Sequence, residues 1–211
     1  MSDTQNTSAP QTTDRRRLNV LSGELFPAYV VWELTLACDH ACAHCGSRGS
    51  LAREGELTTA EALECADELA ELGTREVVLI GGEAYLHDGF FEIARRLSER
   101  GVTPIVTTGG WGVTPELALR MAEAGIKRVS VSVDGLEPAH DRMRAKRGSF
   151  RQCLSALESI KQAGMSPQAN TNFNRFNTHD LEGLYLTLLA AGVRSWQVQI
   201  TSPLGRAADR P

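Results

Sequence analysis

The sequence predicts an α/β protein in which six parallel strands form a partial (β/α)6 TIM-type barrel. Three observations lead there. From about residue 29 onward, strand-like and helix-like segments alternate, β-α five times with a sixth strand at the end, which implies a parallel sheet with right-handed crossovers. Gly73, Gly101, Gly125, Gly164 and Gly192 each stand where a predicted helix should end. Finally, one face is polar in four of the six strands. Parallel strands covered by helices on both faces read as nearly continuous apolar runs, so a polar face suits a barrel lumen better than an open Rossmann-like sheet. A sheet with one face open to water is the plainer alternative.

The first strand is "YVVWELTL", with Glu33 and Thr35 on one face and Trp32, Leu34 and Leu36 on the other. "TTAEALECADELAELG" follows as an amphipathic helix opened by a Thr58/Glu61 capping box. Strand "EVVLI" leads to helix "DGFFEIARRLSERG". Strand "TPIVTT" leads to helix "TPELALRMAEAG", which Thr114 caps and Pro115 starts. In strand "RVSVSV", Ser130, Ser132 and Asp134 share a face opposite Val129, Val131 and Val133. Its helix, "SFRQCLSALESIKQAG", is expected to open on Ser149 and Gln152. Strand "PQANTNF" aligns Asn170, Asn172 and Asn174. After helix "HDLEGLYLTLLAAG", strand "SWQVQI" aligns Gln197 and Gln199 with Thr201.

Composition excludes several classes. Hydrophobic residues make up 42% of the 211-residue chain and charged residues 23%, the balance of a globular protein with one core. A net charge of −4 carries no nucleic-acid footprint. No apolar run approaches the ~18 residues of a membrane span. Five cysteines, three of them clustered, do not resemble a secreted disulfide framework, so a cytoplasmic location is expected. Residues 1–27 read as a polar, disordered tail and lead-in, and 28–211 as one domain. "RRRLNVL" resembles a twin-arginine export signal and "TLAC" a lipoprotein cleavage box, but Glu24, Pro27 and Glu33 interrupt the apolar stretch that either needs.

The chemistry concentrates in "CDHACAHC", where Cys38, Cys42 and Cys45 follow strand one. Three thiolates at this spacing can wrap one corner of a metal centre. Structural zinc and ordinary four-iron clusters both take four ligands. His40 or His44 could complete a zinc site, and "CAHC" alone could be a redox dithiol. Alternatively, three cysteines leave one iron of a four-iron cluster open for an exchangeable ligand. Cys65 and Cys153 fall within helices and are expected to be ordinary buried thiols. His40 is expected to be a loop residue, and Trp111 a packing residue.

Together with Gly81, Gly82 and Glu83 after strand two, and "SVDG" ending strand four, this C-x3-C-x2-C motif resembles the radical S-adenosylmethionine (SAM) enzymes. "HDRMRAKRGSF" and "QVQITSPLGRA" resemble the branch with a C-terminal auxiliary-cluster domain, the SPASM branch, which includes peptide maturases and anaerobic sulfatase maturases. The resemblance covers roughly residues 28 to 208. It implies that Cys38, Cys42 and Cys45 hold a [4Fe-4S] cluster whose open iron binds SAM. Gly81, Gly82 and Glu83 would receive the methionine amino group. Ser132 and Arg144 would hold the ribose and carboxylate regions. Asp134 is a further candidate there, and His44 and Gln199 would lie by the adenine. The implied reaction is reductive cleavage of SAM to a 5′-deoxyadenosyl radical. Its implied use is modification of a peptide or protein, with small-molecule or cofactor biosynthesis as the alternative. A non-catalytic zinc or iron–sulfur module is the reading from another class. Implied partners are the substrate and a reduced electron donor of the flavodoxin or ferredoxin type, with neither nucleic acid nor membrane. Three features depart from the pattern: His44 stands where many members carry an aromatic residue before the third cysteine, "GGEAY" lacks the proline that often follows GGE, and the chain stops at Pro211 without the cysteine-rich extension of this branch. A fragment, a truncated product or a minimal member is expected.

Overall fold

The computed structural model describes residues 26–209. The expected tail therefore lies almost wholly outside the described residues. The strands are β1 (Tyr29–Thr35), β2 (Glu76–Gly81), β3 (Thr103–Thr108), β4 (Arg128–Ser132), β5 (Ser166–Phe173) and β6 (Ser195–Ile200). They form one sheet in sequential order, each strand parallel to its neighbours. A doubly wound sheet reverses its strand order at a switch point. This one does not. It is an open six-stranded α/β sheet of the partial-barrel kind, as expected. Among the described residues no pairing joins β1 to β6, so both are edges.

The crossovers carry α1 (Thr59–Glu71), α2 (Phe90–Glu99), α3 (Pro115–Glu123), α4 (Glu137–Arg144), α5 (Ser149–Gln162) and α6 (Leu181–Ala190). Val77, Leu79, Val106, Val129, Val131 and Val133 are fully buried with Phe90, Ile93, Leu97, Leu157 and Ile160 of α2 and α5. Each large side chain buried this way contributes about 1.5–3 kcal/mol of transfer free energy. The polar residues of β4 and β5 turn to the other face, where the Ser132 hydroxyl donates to Asn170 Oδ1 at 3.1 Å.

Local signals account for the starts of α1 and α3. Thr58 accepts from the Glu61 N–H while the Glu61 carboxylate accepts from the Thr58 N–H, the reciprocal box expected. Thr114 accepts from the Leu117 N–H, with Pro115 in the first turn. Two features differ. The β4–β5 crossover contains α4, which was not anticipated; eight residues with a net polar sequence carry little periodic signal, although Pro138 sits in its first turn. Nor does Ser149 cap α5. The cap is Gly148, and the Asp141 carboxylate of α4 accepts from the N–H groups of Gly148 (2.5 Å) and Phe150 (2.9 Å). A capping acid from the preceding helix fixes the angle between α4 and α5 and frees Ser149 for another role.

The edge near β6 is thinly covered. In α6, "LEGLYLTLLA", only Leu184 and Leu188 are buried, while Tyr185, Leu186 and Leu189 are exposed. Ile200 on β6 is 81% exposed. No helix among the described residues is long and apolar enough to cross a membrane. Since Asp141 satisfies two otherwise unpaired N–H groups, Asp141→Ala should lower stability by about 1–2 kcal/mol, read as a lower urea midpoint with an unchanged slope.

Candidate functional site

The site begins where β1 and β2 end. A register shift between Glu33 and Thr35 brings Gly81 opposite Thr35. The Gly82 N–H then donates to the Thr35 carbonyl (2.7 Å) and the Glu83 N–H to the Ala37 carbonyl (2.8 Å). A Cβ on Gly81 would come within 2.1 Å of the Thr35 carbonyl oxygen, and one on Gly82 within 2.2 Å of that of Ala37. The glycines are thus required by the backbone of the first loop, before any ligand is considered. Farther on, the Cys38 N–H donates to the Ser50 carbonyl and the Ser50 N–H to that of Leu36, closing the loop that carries the three cysteines.

Cys38, Cys42 and Cys45 open onto one cavity of about 230 Å³. All five cysteines are free thiols, and neither Cys65 nor Cys153 lines this cavity. Each of the three sulfurs has one N–H donor: His40 N–H to Cys38 (3.4 Å), Arg144 Nη1–H to Cys42 (3.8 Å) and Gly49 N–H to Cys45 (3.4 Å). Burial pushes the Cys38 thiol up to about 11, so a bound cation is what would hold it as a thiolate. Three convergent thiols with N–H donors fit an iron–sulfur cluster. Cys38, Asp39 and His40 also present ligand atoms within 4.8 Å of one another. Both ring nitrogens of His40 are engaged, however, with Asp39 Oδ1 at 2.6 Å and Ser149 Oγ at 3.2 Å. His40 is thus the loop residue expected, buried and held in a structural role.

Gly81, Gly82, Glu83, His44, Ser132 and Arg144 line the same cavity, so six of the eight expected SAM-site residues meet the three cysteines. Glu83 is 2% exposed and accepts from the Thr108 hydroxyl (2.5 Å) and the Gly109 N–H (2.6 Å). Burial raises its carboxyl to about 7 despite those donors. Asp134 is fully buried behind the wall. Its Oδ2 meets Arg144 Nη2 at 2.7 Å and His44 Nε2 at 3.1 Å, and its Oδ1 accepts from the Asn172 N–H. Burial alone would raise this carboxyl; Arg144, then His44, overcome it and hold it well below the usual carboxylate range. Asp134 thus orients Arg144 and His44. Gln199 is not brought to the cavity. It pairs in register with Asn172, one strand farther out on the open edge, and Asn172 takes the lining position.

Three residues were missed. Arg206, which follows β6, bonds the Cys42 and Gly49 carbonyls and lines the cavity. Its only sequence sign is its place in "PLGRA". Ser149 bridges His40 and His140, and His140 accepts from the Asp134 N–H. Such a buried chain joins four separate segments and leaves no local pattern. Cys153 packs beside it, with Sγ 3.2 Å from the Gly109 carbonyl, and is buried as expected; Cys65 is only half-buried. Trp111 lies beneath Lys146 Nζ, 4.0 Å from the ring centre, in a packing role.

A carboxyl raised from 4.5 to about 7 by folding contributes stability that is complete below about pH 4.5 and lost as pH rises through about 7. Urea unfolding of the protein without bound cofactors should show up to about 3 kcal/mol of Glu83-dependent loss between pH 5 and 8. Glu83→Gln should flatten that profile.

The family model described as the Radical SAM superfamily matches residues 32–185. The chain is 34% identical over 185 residues to the AdoMet-dependent heme synthase of Methanosarcina barkeri, covering 87% of this chain and 53% of that protein. To the mycofactocin maturase MftC of Mycolicibacterium smegmatis it is 31% identical, covering 87% and 47%. It spans about half the length of these curated relatives. The fold matches Streptococcus suis SuiB, crystallised with S-adenosylmethionine, at a TM-score of 0.74 and 14% identity, covering 84% of this chain and 41% of SuiB. The chain belongs to the radical SAM superfamily, whose members use a [4Fe-4S] cluster and S-adenosylmethionine.

Proposed function

We propose that this chain cleaves SAM reductively at a [4Fe-4S] cluster held by Cys38, Cys42 and Cys45. The convergence of three N–H-bonded thiols with Glu83, Ser132 and Arg144 on one cavity carries the reading. When bound, such a cluster supplies one electron to the SAM sulfonium, releasing methionine and a 5′-deoxyadenosyl radical that takes a hydrogen atom from the substrate. The chain's own residues bind and orient. Glu83 offers a buried carboxylate to the methionine ammonium, which supplies the countercharge its burial lacks. Arg144 Nε is buried without a hydrogen-bond partner, a donor suited to the SAM carboxylate. Ser132 and Asn172 offer hydrogen bonds to ribose hydroxyls.

For the substrate, the peptide reading is supported by the side between β1 and β6, which no strand pairing closes among the described residues, and by the likeness to MftC. A second reading, a small-molecule cofactor precursor, is supported by the likeness to the heme synthase. It also has a groove of about 620 Å³ beside His44, lined by Met143, Phe173, Phe176 and Ile200 with Arg142 and Arg175, suited to an apolar acid. Comparing 5′-deoxyadenosine formation with a candidate precursor peptide and with a carboxylated tetrapyrrole separates the two.

Anaerobic reconstitution should give about four irons per chain. Cys38→Ala, Cys42→Ala or Cys45→Ala should abolish the cluster, whereas Cys65→Ala and Cys153→Ala should retain it. One tightly bound zinc in place of iron would overturn the proposal. Glu83→Gln should keep the cluster and weaken SAM binding by about 1–3 kcal/mol, measured by calorimetry. In the unsubstituted protein, SAM affinity should fall as pH drops below about 7, where Glu83 takes up a proton.

A further inference from the structure

We propose that Arg206 is the uncompensated cation of the cluster site, a positioning residue whose charge sets how readily the bound cluster accepts its electron. This rests on the cluster reading above.

Arg206 lies after β6, about 160 residues from the loop it holds. Its Nε donates to the Cys42 carbonyl (2.8 Å), its Nη1 to the Gly49 carbonyl (3.2 Å) and its backbone N–H to the Cys45 carbonyl (2.9 Å). Gly205 makes this approach possible: its φ is +56°, and a Cβ there would lie 2.2 Å from the Gly46 carbonyl oxygen. Arg206 therefore grips the cysteine loop at three points and forms part of the cavity wall.

Its electrostatic position differs from that of Arg144. The guanidinium of Arg144 is paired with the buried Asp134 carboxylate, so that pair brings little net charge. The acceptors of Arg206 are neutral carbonyls, and it makes no ion pair among the described residues. Its Nη2 is buried without a hydrogen-bond partner. A full positive charge thus sits in the wall beside three cysteines with no carboxylate of the described residues ion-paired to it. Thiolates in a partly buried cavity need such a countercharge. An electron added to the cluster deepens the negative charge, so a fixed cation favours the reduced form. Net charge and hydrogen bonding around the sulfurs are the established determinants of cluster potential.

The test is an EPR-monitored redox titration, with iron counted in parallel, of the reconstituted full chain and of Arg206→Met and Arg206→Lys. Arg206→Met should keep its iron, while the reduced-to-oxidised ratio at a fixed poise falls about tenfold or more, equal to a downward shift of about 59 mV for one electron. Arg206→Lys keeps the charge and gives up the multiple carbonyl bonds; most of the shift should be absent. Unchanged potential in Arg206→Met at full iron content overturns the proposal. So does an equal fall in both variants, which would make Arg206 a clamp only. Should Arg206→Met lose iron, Arg206→Lys decides: a potential near the unsubstituted value supports the charge, and a tenfold fall in ratio overturns it. An unsubstituted chain that takes up no iron fails the cluster reading instead.

Discussion

The close approach of Gly81–Gly82 to the backbone of Thr35–Ala37 is the constraint on which the site depends. Two interloop hydrogen bonds, at 2.7 and 2.8 Å, lock the end of β2 to the start of the cysteine loop. Because any Cβ at either glycine would collide with a carbonyl oxygen, the geometry has no tolerance for a side chain. It fixes Glu83 and Cys38 on the same cavity. The register shift in β1 creates the offset, so a feature of sheet pairing sets the separation of two chemical groups.

Around that anchor, the cavity sorts its charges. Glu83 is buried with neutral donors and is held near neutrality of pH; Asp134 is buried against a guanidinium and an imidazole and stays ionised. One carboxyl is left without a paired cation, the other spent on orienting Arg144 and His44. The cysteine loop is held in a comparable way, its carbonyls accepting from Lys146 at Asp39 and from Arg206 at Cys42 and Gly49. These cations come from segments flanking α4 and following β6, so the loop is shaped by the far end of the fold.

The legible parts were those with local causes. Alternating strands and helices, the Thr58 box and the Thr114–Pro115 start follow from spacing over a few residues, and each stands in the structure. Helix α4 did not, being short, polar and capped by a left-handed Ala145. Ser149 was misread for a related reason: a serine at a helix start satisfies the capping rule, yet Asp141 took the cap and left its hydroxyl to two histidines.

By itself, the sequence determined the six-strand parallel order, the three-thiol loop and the acid after two glycines, because each is written in contiguous residues with its own physical signature. Only the tertiary structure decided which distant groups meet them. Asn172 rather than Gln199 lines the cavity because β6 is the outermost strand of an open sheet. Asp134 lies buried behind the cavity wall because Arg144 and His44 compensate its burial there. Arg206 reaches Cys42 from about 160 residues away, a contact between the segment after β6 and the first loop that no short stretch of residues encodes.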